Sequence, residues 1–275
     1  GRGEMREEVR RRVEAFLERF PAHAGAPALR ARRIAERPDM VAESDLEALL
    51  AVPRGHPQWR SSRETVAAVH ARRFREGGPA AVEAGRRYLE VAGELLAAAA
   101  DDGAGVRREP DPTEVDTVRL TLEIALDARV ADLERAAGEL ARIDSWQSAG
   151  WDAGVVAGEL RYRGVQWAMA MGRWPDAARR SEAFLEDGPY RDAWSRAALR
   201  RVLEAAGPAS GGGSARSAAA WPLAAAVLAD TDASTAASVE GLRLSLAAAA
   251  VGLARPGDAE ARTEAATVVR DAMER

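Results

Sequence analysis

Three histidines, His23, His56 and His70, are the side chains of this chain best suited to hold a metal ion or to transfer a proton. His23 and His56 lie in stretches flanked by proline, whereas His70 stands one helical turn from Val66 and from Phe74. No two of them have the spacing of metal ligands on one helix, so a metal site would require three remote segments to converge. We therefore predict packing or surface roles for the histidines and expect no metal and no cofactor.

The carboxylates and hydroxyls show no catalytic pattern either. Asp101 and Asp102 invite comparison with the aspartate-rich motif of all-α terpenoid cyclases, in which carboxylates one helical turn apart coordinate magnesium. Here Gly103 follows at once and the second carboxylate is missing, which favours an acidic loop at the end of a helix. The serines that could act as nucleophiles have no elbow motif or base beside them: Ser61, Ser62, Ser181 and Ser195. The sequence predicts no catalytic residue.

The composition removes several classes of chemistry. All 39 basic residues are arginine, because lysine is absent, and asparagine and cysteine are absent too. Without lysine there is no Schiff-base amine and no P-loop ammonium, and without cysteine there is no disulfide and no thiolate ligand. The 43 acidic residues bring the net charge to −4, so the chain has no positive excess with which to collect phosphates. We expect no nucleic-acid partner.

No stretch of the sequence resembles an export signal or a membrane span. The segment 4–20 is charged and amphipathic. The alanine-rich stretches 217–229 and 244–254 are shorter than the roughly 20 apolar residues that a span needs. The absence of cysteine agrees with a reducing compartment. We expect a cytoplasmic protein without membrane contact.

Apolar residues recur every three to four positions along most of the chain, which is the pattern of amphipathic helices. The pattern begins with Met5, Val9 and Val13 on a charged first helix. Capping boxes at Ser44–Glu47 and Ser61–Glu64 are predicted to open two of the following helices. Because 47% of the residues are hydrophobic and 30% are charged, we expect these helices to fold around a core as an all-α protein.

One segment leaves a choice between helix and strand. Its apolar residues alternate as they do in a strand: Val118, Leu120, Leu122, Ile124 and Leu126. The same run also belongs to a helical stripe that extends from Val115 to Leu140. We favour the helix, because a single strand would lack a partner in a chain where no other segment alternates convincingly.

Two loops divide the chain into helical regions 1–100, 111–206 and 215–275. The first loop, Asp101–Pro112, contains two glycines and two prolines, and Pro112 is placed to open the next helix after Asp111. The second, Gly207–Ser214, has the composition of a flexible tether. We expect the three regions to form one continuous solenoid of antiparallel helical hairpins.

A turn in the second region resembles the tetratricopeptide repeat. The turn glycine, aromatic residue, small packing residue and closing proline of that repeat correspond to Gly172, Trp174, Ala177 and Pro189. Ala178, Phe184 and Leu185 continue its second helix, and the match covers about one repeat. Arg161 and Val165 stand where the family has an aromatic residue and a glycine. The resemblance implies an irregular, tetratricopeptide-like α-solenoid.

Such a solenoid exposes a concave surface that suits the recognition of a peptide or another protein. The predicted helix from Trp151 to Met171 carries residue types that are enriched at binding hot spots: Arg161, Tyr162, Arg163 and Trp167. In the other interpretation, Trp167 fills the core and the arginines form a solvated face. We expect a non-catalytic scaffold or regulatory domain that binds a protein or peptide. The alternative is an all-α enzyme or small-molecule binder whose apolar cavity is lined by some of the seven tryptophans. The oligomeric state stays open.

Overall fold

The computed structural model describes residues 2–38, 40–102, 109–186, 193–207, 214–229, 239–255 and 258–273. The regular elements of these ranges are all helical, so the predicted all-α class is confirmed for them. The α-helices are α1 (Arg2–Arg19), α2 (Ala26–Glu36), α3 (Glu43–Leu50), α4 (Trp59–Glu76), α5 (Ala81–Asp102), α6 (Pro112–Ala125), α7 (Leu133–Ser148), α8 (Ala157–Ala170), α9 (Trp174–Glu186), α10 (Ala193–Ala206), α11 (Ser214–Ala229), α12 (Val239–Leu253) and α13 (Ala259–Met273). Within the described part of the chain, no helix is both long and apolar enough to cross a membrane.

Residues 1–131 and 132–275 form two compact units, here named unit 1 and unit 2. The centre of unit 1 is the hairpin of α4 and α5, against which α2, α3 and α6 pack. Gly77 and Gly78 join the two helices with φ angles of +80° and +83°, a conformation that glycine adopts without steric cost. Gly85 brings the helices close together, because a Cβ atom there would lie 2.9 Å from Phe74 and 3.0 Å from Val130.

Unit 2 has a separate apolar core. It is built from residues of α8 to α12 that are almost fully buried, among them Val165, Phe184, Leu199, Leu203, Leu223, Leu244 and Val251. Helix α9 packs against α8, α10 and α11, while α12 packs against α10, α11 and α13. The apolar faces of these helices, which the periodicity of the sequence indicates, therefore lie between neighbouring helices.

The alternating segment is helical, as we favoured, but the helix does not run on to Leu140. Helix α6 ends at Ala125, and the chain turns before α7 begins at Leu133. In this turn the Asp127 carboxylate accepts a hydrogen bond from the backbone N–H of Arg129 at 2.9 Å. Asp132 then caps α7 through its side chain. The side chains of Asp127 and Asp132 hydrogen-bond to nearby backbone N–H groups and so favour a turn over a continuous helix. The spacing of the apolar residues gave no sign of this turn.

Both predicted capping boxes are wrong. Helices α3 and α4 begin before Ser44 and Ser61, and neither N-cap residue makes a side-chain cap. A capping box does open α6, where Asp111 accepts from the Glu114 N–H at 2.9 Å and the Glu114 carboxylate accepts from the Asp111 N–H at 2.7 Å. Pro112 occupies the start of this helix, as predicted.

The helix predicted from Trp151 to Met171 begins later in the structure. A 3₁₀ turn, Gly154–Val156, precedes α8, and Gly154 itself has a φ of +47°, which ends any continuous helix from Trp151. Pro189 and the residues 208–213 of the predicted tether lie outside the described part of the chain. The division into three regions stays a prediction.

Candidate functional site

The three histidines serve local structure in unit 1. His23 Nδ1 accepts from the N–H of Gly25 at 3.0 Å, and His56 Nδ1 accepts from the N–H of Gln58 at 3.1 Å. His70 is only 7% exposed, and burial lowers the pKa of its imidazole, which the Arg73 guanidinium lowers further. Among the residues that the structure describes, no three His, Asp or Glu side chains are placed to hold a metal ion.

Asp101 and Ser181 have structural partners as well, whereas the buried hydroxyl of Ser62 has none among the described residues. Asp101 and Asp102 end α5, and Asp101 accepts from Arg54 Nη2 at 2.7 Å. Ser181 is fully buried and donates to the carbonyl of Ala177 at 2.8 Å within α9. A serine that bonds to its own helix in this way is satisfied by the backbone.

Tyr162 is the predicted site residue with the most defined surroundings. Its ring packs against Trp194 of α10 with the centroids 5.4 Å apart. Its Oη accepts hydrogen bonds from Gln166 Nε2 at 3.2 Å and from Arg201 Nη1 at 3.3 Å. The ring contact and the two hydrogen bonds hold a half-buried aromatic side chain in one orientation at the edge of the unit 2 core.

Arg163 lies beneath this ring rather than on a solvated face, since its side chain is only 12% exposed. It donates to Gln166 Oε1 at 3.0 Å and pairs with Glu159 at 3.5 Å. Its guanidinium carbon lies 5.9 Å from the centroid of Tyr162 and 6.0 Å from that of Trp194, so it is a cation–π partner of both rings. The α8–α10 cluster is the set Tyr162, Arg163, Gln166, Trp194 and Arg201.

Trp167 does not belong to the α8–α10 cluster. Its Nε1 donates to the carbonyl of Leu133 at 3.1 Å, so the polar atom of its half-buried indole is satisfied at the start of α7. Two arginines lie against the indole ring, Arg173 at 5.0 Å and Arg180 at 5.9 Å from its centroid. The structure thus separates Trp167 from Tyr162 and Arg163, while Arg161 is exposed on the same helix.

Sequence reasoning missed Trp194 and Arg201, because both lie on α10, far along the chain from Tyr162. The spacing of Glu159 with Arg163 and of Tyr162 with Gln166 is the signal that was available, since residues four apart on a helix are neighbours. It also missed a second group at the turn between α8 and α9, where Arg216 of α11 lies 4.7 Å from the centroid of Trp174.

Unit 1 contains a cavity of about 480 Å³, which can be compared with the tryptophan-lined cavity of the small-molecule alternative. It is lined by alanine, leucine and ion-paired side chains, none of them tryptophan: Ala68, Ala71, Arg72, Arg75, Glu76 and Leu120. Arg72 pairs with Glu76 at 2.5 Å, and Arg75 holds Glu123 through two hydrogen bonds of 3.0 and 2.9 Å. The tryptophan-lined cavity of the alternative is therefore not this one.

Comparisons with protein-family models, with curated proteins and with solved structures find no match for this chain. A function must therefore be argued from its own residues. The α8–α10 cluster offers an immobilised aromatic ring beside an exposed guanidinium, which can make apolar and charged contacts with a partner.

Proposed function

We propose that this chain is a non-catalytic, cytoplasmic protein that binds another protein or a peptide, and that the α8–α10 cluster is its binding surface. The observation that carries the proposal is the half-buried ring of Tyr162, which is held by Trp194, Gln166 and Arg201. Tyrosine, tryptophan and arginine are the residue types that dominate binding hot spots.

The fixed orientation of the ring is what makes this surface suitable for binding. Association costs free energy for every side chain that must be immobilised, roughly 0.5–1.5 kcal/mol each. Tyr162 and Arg163 are already held by hydrogen bonds and ring contacts, so a partner would not have to order them. Arg201 and Arg161, both exposed, supply the charged rim that such surfaces usually have.

We also propose that α8 and α9 form a tetratricopeptide-like hairpin within an irregular α-solenoid. Gly172 supports this, because its φ of +70° allows the short turn between α8 and α9. Ala177 and Phe184 support it too, since both are buried at the positions that the repeat uses for packing. An experimental structure in which successive helix pairs stack with one repeated rotation would agree with the proposal, and a closed bundle would contradict it.

The test is capture of partners from a lysate of the native host with matched baits. We would compare the wild-type chain with Arg201→Glu and Tyr162→Ala, and use Arg86→Glu on the exposed face of α5 as the control for charge reversal. Circular dichroism of each variant checks that the helices are retained. We expect at least one protein to be retained by the wild type and the control and lost by both cluster variants.

Recovery of the same proteins by all four baits would remove the α8–α10 cluster as the binding surface. Turnover of a metabolite by the wild-type chain, with no protein that depends on the cluster, would favour the all-α enzyme of the alternative.

A further inference from the structure

Tryptophan rings that carry a stacked arginine recur in both units. Within the described residues, seven arginines lie over a tryptophan ring: Arg54 and Arg63 over Trp59, Arg163 over Trp194, Arg173 and Arg180 over Trp167, Arg216 over Trp174, and Arg255 over Trp221. Stacking leaves the N–H groups at the edge of the guanidinium free to donate hydrogen bonds.

Five of these seven arginines also hold a carboxylate. The pairs and their N–O distances are Arg54–Asp101 at 2.7 Å, Arg63–Glu94 at 2.6 Å, Arg163–Glu159 at 3.5 Å, Arg180–Asp176 at 3.3 Å and Arg255–Asp258 at 3.0 Å. In this protein, a guanidinium that lies on tryptophan thus usually takes a carboxylate as well, with the ring on its face and the acid at its edge.

Arg173 and Arg216 are the two exceptions. Neither has a carboxylate within 4.0 Å among the described residues. Both are found at the turn that precedes α9, because Arg173 belongs to this turn and Arg216 is stacked on the ring of Trp174, the next residue. Asp176, which follows in the first turn of α9, is already shared by Arg179 and Arg180. We name the set Trp167, Arg173, Trp174 and Arg216 the arginine–tryptophan corner.

The contacts of the corner indicate how an acid would bind there. Arg180 and Arg173 both lie over the Trp167 ring. Arg180 also pairs with the carboxylate of Asp176, whereas Arg173 has no carboxylate partner among the described residues. Arginine binds carboxylates through two parallel hydrogen bonds, and stacking restricts the guanidinium in advance, so little side-chain freedom is lost on binding. Met171, which is 42% exposed, directly precedes the turn and leaves apolar surface exposed at this end of α8.

We infer that the arginine–tryptophan corner binds a carboxylate-rich segment of a partner protein, with Arg173 and Arg216 each taking one acidic side chain. This inference rests on the proposed binding function and adds the chemistry of the partner. Five other arginines of this protein have a tryptophan ring on the face of the guanidinium and a carboxylate of the same chain at its edge. Arg173 and Arg216 would reach the same arrangement with carboxylates of the partner.

The test is titration of the full chain with a dye-labelled peptide of alternating glutamate and leucine, followed by fluorescence anisotropy at low salt. The corner variant is Arg173→Gln together with Arg216→Gln. The control is Arg37→Gln together with Arg86→Gln, which removes two exposed arginines that have no carboxylate partner in the described residues and are not stacked on tryptophan. In the corner, Arg173 is likewise exposed, whereas Arg216 is half-buried. We expect the corner variant to weaken binding at least about tenfold and the control to leave it within about twofold.

A peptide with glutamine in place of glutamate separates charge from apolar contact, and we expect it not to bind the wild type. Arg173→Lys with Arg216→Lys keeps the charge but loses the paired hydrogen bonds, and we expect intermediate binding. Unchanged circular dichroism and a single cooperative thermal transition show that the corner variant is folded.

Equal weakening by the corner and control variants would overturn the inference, as would absence of wild-type binding at about 1 mM peptide. Equally tight binding of a single-stranded oligonucleotide through the same two arginines would overturn it in favour of a phosphate ligand. These outcomes are separate from the capture experiment. A captured protein that depends on Tyr162 would keep the proposed function even if the acidic peptide fails to bind.

Discussion

Unit 1 and unit 2 use their arginines in different ways. In unit 1, some arginines pair with carboxylates across helices, as Arg63 does with Glu94, Arg73 with Glu43 and Arg75 with Glu123. Other pairs in this unit stay on one helix, as Arg32 with Glu36 does. In unit 2, ion pairs of the described residues join side chains three or four apart on the chain: Arg135–Glu139, Arg142–Glu139, Arg163–Glu159, Arg179–Asp176, Arg180–Asp176, Arg200–Glu204 and Arg255–Asp258. Two described arginines of unit 2 reach aromatic side chains on other helices: Arg201 donates to Tyr162, and Arg216 lies over Trp174.

This difference bears on where the proposed binding surfaces lie. A guanidinium that holds a carboxylate on a neighbouring helix has its strongest interaction within the protein, so it contributes to stability. A guanidinium that rests only on a ring is oriented but keeps its donors available. The two units are therefore expected to respond differently when an arginine is removed.

The largest effect is expected for Arg63→Ala in unit 1. This change leaves Glu94 and the carbonyl of Leu49 without their donor and removes the stack on Trp59. We expect the free energy of unfolding to fall by about 2–3 kcal/mol, because the buried carbonyl of Leu49 loses its donor and the largely buried Arg63 side chain loses its packing, whereas Glu94, whose side chain is 49% exposed, can be solvated by water. Urea denaturation followed by circular dichroism measures it. Arg86→Ala is the control and should stay within about 0.5 kcal/mol, and a loss for Arg63→Ala below about 1 kcal/mol would contradict the assigned role.

A smaller effect is expected when the pH is lowered. Burial lowers the pKa of His70, and the Arg73 and Arg87 guanidinium groups lower it further, whereas Glu43 and Glu83 raise it. The unfolded chain then binds more protons than the folded one, so stability is fully present above about pH 6.5 and is lost as the pH falls below that value. We expect the unfolding free energy of the wild type to decrease between pH 7 and pH 5 more steeply than that of His70→Gln. Equal slopes would show that His70 is not the titrating group.

Arg216→Ala in unit 2 is expected to cost only about 0.5–1 kcal/mol, because it removes a cation–π contact and no described ion pair. Differential scanning calorimetry against the wild type measures the change. A loss above about 2 kcal/mol would mean that Arg216 has a structural role comparable to that of Arg63, and the contrast between the units would then fail.

The smallest effect is expected for Arg32→Ala on α2. Arg32 pairs with Glu36 four residues later at 3.0 Å, and its side chain is 74% exposed. Exposed pairs of this kind contribute about 0.3–0.5 kcal/mol and are screened by salt. The difference from the wild type should vanish in 1 M sodium chloride. A loss that persists in high salt would show that Arg32 contributes through packing instead.

Much of the helical content could be predicted from local patterns. The three-to-four periodicity indicated the helices, and Asp111 with Pro112 indicated the start of α6. The patterns failed where polar side chains compete for the backbone. Ser44 and Ser61 lie inside helices that had already begun, and Asp127 and Asp132 divide what the apolar stripe suggested was one helix.

The sequence by itself determined the all-α class and the chemistry that is excluded, because periodicity and composition are local properties that hold in any arrangement of the helices. It identified Tyr162 and Arg163 by residue type, but it could not indicate that Trp194 and Arg201 complete their surroundings. Only the tertiary structure decided which arginines meet a carboxylate and which meet only a ring. The partner of an arginine depends on contacts between helices that are far apart along the chain. The sequence shows only that a guanidinium is present, and a guanidinium can pair with a carboxylate or stack on a ring.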